Sequence, residues 1–187
     1  MTIQVETVFQ APGPQPNGMQ ATAEGLWILD QITNQVHLVS YAGKVLRTLE
    51  TASNKGSGIT DDGDALWLTS TYSREILKID RNTGETLASF PSPDPSATGA
   101  HGLEWHAGKL WVANPPSATI YQVDVSHGFE IVHRFPAPAT APTASPGMAT
   151  TSGASRPICA ASSTSIRPTV RSSARSICLN HCQSRMA

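Results

Sequence analysis

Residues 58–84 read GITDDGDALWLTSTYSREILKIDRNTG, and this stretch decides the fold. It holds two short runs of strand-forming residues, 66–70 and 75–80, bounded by polar or glycine-containing turns. Short β-rich runs between such turns are typical of antiparallel strands. The glycine that ends Asp80-Arg81-Asn82-Thr83-Gly84 fits a hairpin loop, because glycine adopts a positive φ without steric cost. The stretch therefore predicts part of an antiparallel sheet.

The same pattern occurs three times along the chain. In each copy a glycine precedes a tryptophan by nine positions, and a leucine stands directly before the tryptophan. The marker pairs are Gly18 and Trp27, Gly58 and Trp67, and Gly102 and Trp111. Four short strands in about forty residues are the pattern of a β-propeller blade. We therefore predict an all-β chain, a partial β-propeller of about three four-stranded blades, in which the tryptophans pack between neighbouring blades.

The N-terminal residues extend this prediction. Val5–Phe9 matches the fourth strand of a blade, so we predict an N-terminal closing strand that has no blade of its own. Three blades fall short of the roughly four to eight that close a ring. Residues 1–138 are therefore predicted to form an incomplete β-propeller, and its open blade edges favour self-association.

Residues 139–187 have a different composition. They contain five arginines and all three cysteines of the chain, but no Lys, Asp, Glu or aromatic residue. Such a segment buries too little apolar surface to offset its loss of entropy on ordering, so we predict a disordered Ser/Ala/Arg/Pro-rich tail. A fourth blade should begin near Ala144, where this tail stands instead. We interpret the tail as the same gene read out of frame; the alternative is a genuine disordered tail.

Charge and hydropathy exclude several classes of partner. The chain has 13 Lys and Arg against 14 Asp and Glu, a formal net charge of −1, which argues against a nucleic acid partner. No apolar run approaches the roughly 18–20 residues that span a bilayer, so we predict no membrane association. The first residues show no secretory signal, which predicts a cytoplasmic protein.

Two polar positions vary between the three copies. The residue before each marker glycine is Asn17, Ser57 and His101, and the third residue after each tryptophan is Asp30, Ser70 and Asn114. In a propeller the innermost strands line the central channel, so these side chains are candidates for a polar funnel that binds a small molecule. His101 is the candidate catalytic residue, as an acid or base, and the other five are candidate ligand-binding residues. The alternative is that these are ordinary turn residues, Asp30 bonding only to local backbone groups.

The repeat resembles the blades of the streptogramin lyase (virginiamycin B lyase) group over residues 5–138. The resemblance rests on P-N-G or H-G before a strand, on L-W-x-x-[DN], and on the D-x-x-T-G-E turn. The same pattern is similar to NHL-like and gluconolactonase-like propellers. The resemblance implies a seven-bladed parent that opens a cyclic depsipeptide by metal-assisted elimination, with Mg²⁺ or Ca²⁺ as the divalent cation. It matches His101-Gly102 to the functional H-G pair, and Asn114 stands where a functional Glu is expected.

Three functions remain open from the sequence. The first is a fragment of a lyase-like propeller whose ancestor opened a cyclic ester or lactone, inactive in this chain because the best His–Glu pair is missing. The second is a gluconolactonase-like hydrolase, since Pro16-Asn17-Gly18 and Asp30 match part of that group's metal-site pattern. The third is a non-enzymatic propeller that binds a ligand or a protein.

Overall fold

The computed structural model describes residues 3–94 and 98–137. Twelve strands in these residues form three antiparallel sheets of four strands each. In every sheet the strands follow one another in chain order, each joined to the next by a short turn. The prediction of about three four-stranded blades is confirmed. Within the described residues the only helical segment is one 3₁₀ turn, Pro115–Ser117.

The strand bounds are as follows. Blade 1 consists of β1 (Pro16–Ala21), β2 (Leu26–Asp30), β3 (Gln35–Val39) and β4 (Val45–Glu50). Blade 2 consists of β5 (Ile59–Asp61), β6 (Ala65–Ser70), β7 (Glu75–Asp80) and β8 (Thr86–Pro91). Blade 3 consists of β9 (Gly102–His106), β10 (Lys109–Asn114), β11 (Thr119–Asp124) and β12 (Glu130–Pro136).

The hairpin between β7 and β8 shows why the turn sequence determines the local structure. Asp80 Oδ1 accepts hydrogen bonds from the backbone N–H groups of Asn82 and Thr83, both at 2.8 Å. Gly84 follows with a φ of +81°, and a Cβ added there would lie 2.3 Å from the carbonyl oxygen of Glu50 in blade 1. The glycine therefore meets two requirements, a left-handed backbone and close contact with the neighbouring blade. The predicted hairpin loop is confirmed.

The hydrophobic core lies between successive blades. Trp27, Val36 and Leu49 of blade 1 pack against a leucine- and isoleucine-rich face of blade 2. Trp67 and Ile76 of blade 2 pack in the same way against blade 3. Trp27 and Trp67 are 0% and 1% exposed, so their predicted packing role is confirmed. For Trp111 the prediction is wrong, because this side chain is half-buried and no further blade follows within the described residues.

The first strands of the three blades approach one another closely. A Cβ added to Gly18 would lie 2.9 Å from the carbonyl oxygen of Ser57, and one added to Gly58 would lie 2.4 Å from that of His101. These contacts leave no room for a side chain at Gly18 or Gly58, whereas a Cβ at Gly102 would meet only the Ala113 side chain, at 3.3 Å. Side chains also link the strands: Thr60 Oγ1 donates to Gln20 Oε1 and accepts from the N–H of Trp105.

The N-terminal residues differ from the prediction. Residues 3–15 contain no strand, so the predicted closing strand Val5–Phe9 is wrong. The reason is the lack of a partner: β3, β7 and β11, the third strands of the described blades, already pair with β4, β8 and β12. Phe9 and Ala11 instead pack on blade 1, against Leu26, Ile28 and Val39.

The predicted tail, residues 139–187, lies outside the described residues. Its disorder and its frame therefore remain predictions, as does the domain boundary after residue 138. Phe9–Pro138 forms one compact unit, and the three blades belong to it. No helix in the described ranges has the length and apolar character to cross a membrane.

Candidate functional site

Two sets of candidate residues lie at the same edge of each blade. Asn17, Ser57 and His101 stand at or just before the first strand, and Asp30, Ser70 and Asn114 end the second strand. The first two strands are antiparallel, so the start of one meets the end of the other; Pro16 pairs with Asp30, for example. The six candidate residues therefore lie along one edge of the blades, and their role in binding stays a prediction. The two sets, however, have different surroundings.

The residues before the marker glycines converge where the first strands meet. Asn17 Nδ2 of blade 1 donates a hydrogen bond to Ser57 Oγ of blade 2 at 3.2 Å. Thr71 Oγ1 lies 3.0 Å from Ser57 Oγ and 3.1 Å from the carbonyl oxygen of Ala100, the residue before His101. One chain of polar contacts thus joins all three blades. We call Asn17, Ser57, Thr71 and His101 the axial cluster.

His101 is the group with acid–base chemistry in the axial cluster. Its backbone N–H donates to the carbonyl oxygen of Ala113 at 2.9 Å, which fixes the start of β9 against the end of β10. Its side chain is exposed, yet desolvation by the surrounding protein lowers the pKa of the imidazole below its ordinary value. The lowered pKa favours the neutral form of the ring, in which one nitrogen can accept a proton.

The residues at the ends of the second strands have a common structural role. Asp30, Ser70 and Asn114 are 0–1% exposed, and each binds the connection that enters its own blade. Asp30 Oδ2 accepts from the N–H of Gln15, and Ser70 Oγ accepts from the N–H of Asn54 at 2.7 Å. Asn114 Nδ2 donates to the carbonyl oxygens of Pro93 and Asp94, both at 2.7 Å. We call these three the connection anchors.

Asp30 has the most complete set of partners among the connection anchors. Besides the bond from Gln15, its Oδ1 accepts from the N–H of Ile32 at 2.9 Å and from the N–H and hydroxyl of Thr33 at 2.8 and 3.0 Å. Burial raises the pKa of the carboxyl, but these hydrogen bonds outweigh burial and lower it below 3.8. Asp30 is thus a turn-forming residue that also holds Gln15, so it does more than bond to local backbone groups.

We expect Asp30→Asn to lower the free energy of unfolding at pH 7 by about 1–3 kcal/mol. The asparagine side chain has only one oxygen. Its NH2 group would therefore replace the oxygen that accepts either from the Gln15 N–H or from the N–H groups of the turn. Since the pKa is lower in the folded state, the carboxylate stabilises the fold above pH 3.8, and this contribution is lost as the pH falls from there towards the folded-state pKa. Urea unfolding between pH 2 and 7 should show that the free energy of unfolding falls less at acid pH in the variant than in the wild type.

The control for this prediction is Asp80→Asn. Asp80 accepts both of its turn hydrogen bonds on Oδ1 alone, so an asparagine oxygen can replace it. An equal loss in the two variants at pH 7 would contradict the assigned role of Asp30.

The residues present do not fit a Mg²⁺ or Ca²⁺ site. Hard cations prefer several oxygen ligands, carboxylates above all. The axial cluster offers one amide, two hydroxyls and one imidazole, and the nearby Asp30 carboxylate already accepts from four donors. Among the described residues, no group of three or more His, Cys, Asp or Glu side chains is placed to hold a metal ion. The expected cation therefore has no site built by this part of the chain.

Two features of the site were not predicted. Thr71 links Ser57 to Ala100, but a threonine in a turn after a strand carries no signal in one sequence. Asn114 Oδ1 is buried without a hydrogen-bond partner, although its amide nitrogen is fully used. The carbonyl groups that Asn114 binds come from the loop 93–94, and only the structure shows that they lie so close.

Comparison with known proteins agrees with the geometry. No family model and no curated protein matches the chain. Among solved structures, virginiamycin B lyase from Staphylococcus aureus matches with a TM-score of 0.53 and 25% identity, covering 70% of this chain and 44% of the lyase. A streptogramin B lyase matches with a TM-score of 0.51 and 21% identity, over 70% and 44% of the two chains. Glutaminyl cyclase from Myxococcus xanthus matches with a TM-score of 0.55 and 14% identity, over 68% and 53%.

These matches identify the fold. The second and third are too distant in sequence to show more than a common architecture, and this chain spans less than half the length of either lyase. All three support the arrangement of blades described above. The described residues thus form three blades of a lyase-like β-propeller.

Proposed function

We propose that this chain is part of a streptogramin-lyase-like propeller whose axial cluster binds a small polar ligand, and that the chain by itself does not open the ring of a cyclic depsipeptide. The observation that carries the proposal is the chain of polar contacts from Asn17 through Ser57 and Thr71 to the carbonyl oxygen of Ala100, which directly precedes the exposed His101. The 25% identity to virginiamycin B lyase supports the choice of ligand class.

The axial cluster supplies part of the chemistry of ring opening by elimination. In that reaction a base removes a proton from carbon, the C–O bond of the ester breaks, and an alkene and a carboxylate form without water. A neutral imidazole can act as the base, because its pKa lies near or below the working pH. His101 is the group in the axial cluster that can take this role.

Among the described residues, the axial cluster itself offers no charged group to stabilise the developing negative charge. Asn114, which stands at the position of the lyase group's functional Glu, is buried and directs its amide N–H groups to Pro93 and Asp94. Asn17 and Ser57 are neutral donors, which hold a polar ligand but stabilise charge weakly compared with a cation. We therefore propose binding without turnover.

A non-enzymatic binding propeller is the second candidate. The neutral composition of the axial cluster favours it, since amide, hydroxyl and imidazole groups are typical of hydrogen-bonding recognition. The gluconolactonase-like hydrolase has less support, because that function needs the oxygens of Asp30, and these are already hydrogen-bonded within blade 1.

The test uses virginiamycin B as the probe. Titration of the full chain should shift the NMR signals of the His101 ring, and His101→Ala should weaken binding by roughly tenfold, about the effect of losing one hydrogen bond to a ligand. His106→Ala, at an exposed position at the other end of β9, is the matched control and should bind like the wild type.

Chromatography and mass spectrometry distinguish the outcomes. Hydrolysis adds the mass of one water, whereas elimination leaves the mass unchanged and creates an alkene that shifts retention. We expect neither product, with or without Mg²⁺. Turnover of either kind would overturn the inactivity, and the absence of any signal shift at saturating probe would overturn the proposed ligand.

A further inference from the structure

Blade 3 carries an apolar face that has no partner among the described residues. The face is formed by Trp111, Ile120 and Phe135, which we call the exit face. Ile120 and Phe135 are cross-strand partners, as are Ile76 and Phe90 in blade 2 and Val36 and Leu49 in blade 1. In blades 1 and 2 these positions pack against the next blade.

Exposure shows that the exit face differs from its two counterparts. Trp27, Val36 and Leu49 are 0–3% exposed, and Trp67 and Ile76 are 0–1% exposed. Phe135 is 37% exposed, and Trp111 and Ile120 are only half-buried. Trp111 contacts Phe135 edge-on, with ring centroids 6.3 Å apart, so the two rings form one continuous apolar surface. Such a surface is a typical interaction site.

At the opposite end of the stack the centre of the face is covered, while Met19, the cross-strand partner of Ile28, is 43% exposed. The corresponding face of blade 1, formed by Leu26, Ile28 and Val39, is 0–3% exposed, and Phe9 and Ala11 pack against it. A second molecule therefore cannot continue the stack at blade 1 without displacing these residues. The two ends are not equivalent, and the exit face is the end where association can occur.

We propose that the exit face binds the exit face of a second copy of this chain, giving a symmetric dimer. A two-fold arrangement pairs identical surfaces, so each copy needs only one exposed face. The assembly is then complete with two copies. Phe9 and Ala11 cover the centre of the blade 1 face and so oppose head-to-tail growth. The proposal is independent of the proposed ligand, because it uses no residue of the axial cluster.

The polar groups at the two edges of the exit face fit a two-fold partner, because an imidazole N–H can donate a hydrogen bond to a carboxylate. Glu104, Trp111, Gln122 and His133 form one row of cross-strand neighbours across blade 3. Directly opposite residues of neighbouring strands point to the same side of a sheet, so the row places a carboxylate at one edge of the exit face and an imidazole at the other. A two-fold axis parallel to the strands reverses the row in the second copy. Glu104 of each copy then lies over His133 of the other.

The test is sedimentation equilibrium of the full chain over a wide range of concentration. We expect a monomer–dimer equilibrium, and Phe135→Glu should weaken it by at least about tenfold, the effect typical of a central aromatic contact. Leu87→Glu is the matched control: Leu87 also lies on the outermost strand of a blade and is 57% exposed, but it lies outside the exit face. It should leave the dimer unchanged.

A charge exchange gives a second readout that does not depend on apolar contacts. Glu104→Arg alone should weaken the dimer, and the double variant Glu104→Arg with His133→Glu should restore it. A monomer at all concentrations overturns the proposal, as does a series of trimers and higher species. A dimer that tolerates both Phe135→Glu and Glu104→Arg also overturns it, because the contact then lies elsewhere.

Discussion

Gly58→Ala is expected to lower the free energy of unfolding by about 3 kcal/mol, near the upper end for overpacking of a core. The added Cβ would lie 2.4 Å from the carbonyl oxygen of His101 and 2.9 Å from the backbone nitrogen of Leu103. Both atoms belong to the backbone and cannot rotate away. The other side of Gly58 is equally fixed, because its N–H donates to Thr69 Oγ1 at 2.7 Å.

The other two marker glycines are matched controls. A Cβ at Gly102 would meet only the Ala113 side chain, at 3.3 Å, so Gly102→Ala should cost less than about 1 kcal/mol. Gly18→Ala should fall between the two, since its Cβ would lie 2.9 Å from the carbonyl oxygen of Ser57. Urea unfolding followed by tryptophan fluorescence measures all three. Equal losses for Gly58→Ala and Gly102→Ala would contradict the close approach of β5 and β9.

Trp67→Ala is expected to destabilise the fold by about 3–5 kcal/mol, the range for removal of a large buried aromatic residue. Trp67 is 1% exposed and stacks on Trp105 and Phe90, with ring centroids 6.3 and 5.9 Å apart. Its Nε1–H donates to Asp62 Oδ2 at 2.8 Å. The substitution therefore leaves a cavity between blades 2 and 3 and removes a partner from a buried carboxylate.

Trp111→Ala is the matched control, because Trp111 occupies the same position in blade 3. Its ring is only half-buried, so the loss of stability should be less than half of that for Trp67→Ala. Both variants are compared by urea unfolding at a protein concentration low enough to keep the chain monomeric. A loss for Trp111→Ala as large as that for Trp67→Ala would contradict the open exit face of blade 3.

The sequence predicted the repeating part of the fold because its periodic residues each have one strong physical role. Trp27 and Trp67 fill the space between blades, and Gly18 and Gly58 allow the first strands to meet. These requirements arise wherever one blade packs against the next, so the residues that meet them recur in the sequence. The predicted strand Val5–Phe9 failed because its pattern was correct but no third strand was free to pair with it.

The candidate site was predicted less completely. Asn17 and Ser57 do meet, as their shared position in the repeat implied. Asp30, Ser70 and Asn114 lie at the predicted edge but are buried against backbone groups. A polar residue at the end of a strand has the same sequence signature whether it holds a loop or a ligand. The two roles, holding a loop and holding a ligand, differ in the contacts that the residue makes with residues distant in the chain. These contacts cannot be read from a single sequence.

The connection anchors have an evolutionary consequence. In every blade, the side chain that holds the incoming connection comes from the same blade as that connection. A duplication of one coding unit would copy donor and acceptor together, and the new unit could be inserted without compensating changes in its neighbours. The three anchors are a carboxylate, a hydroxyl and an amide, so different side chains can make this bond as long as each blade supplies its own.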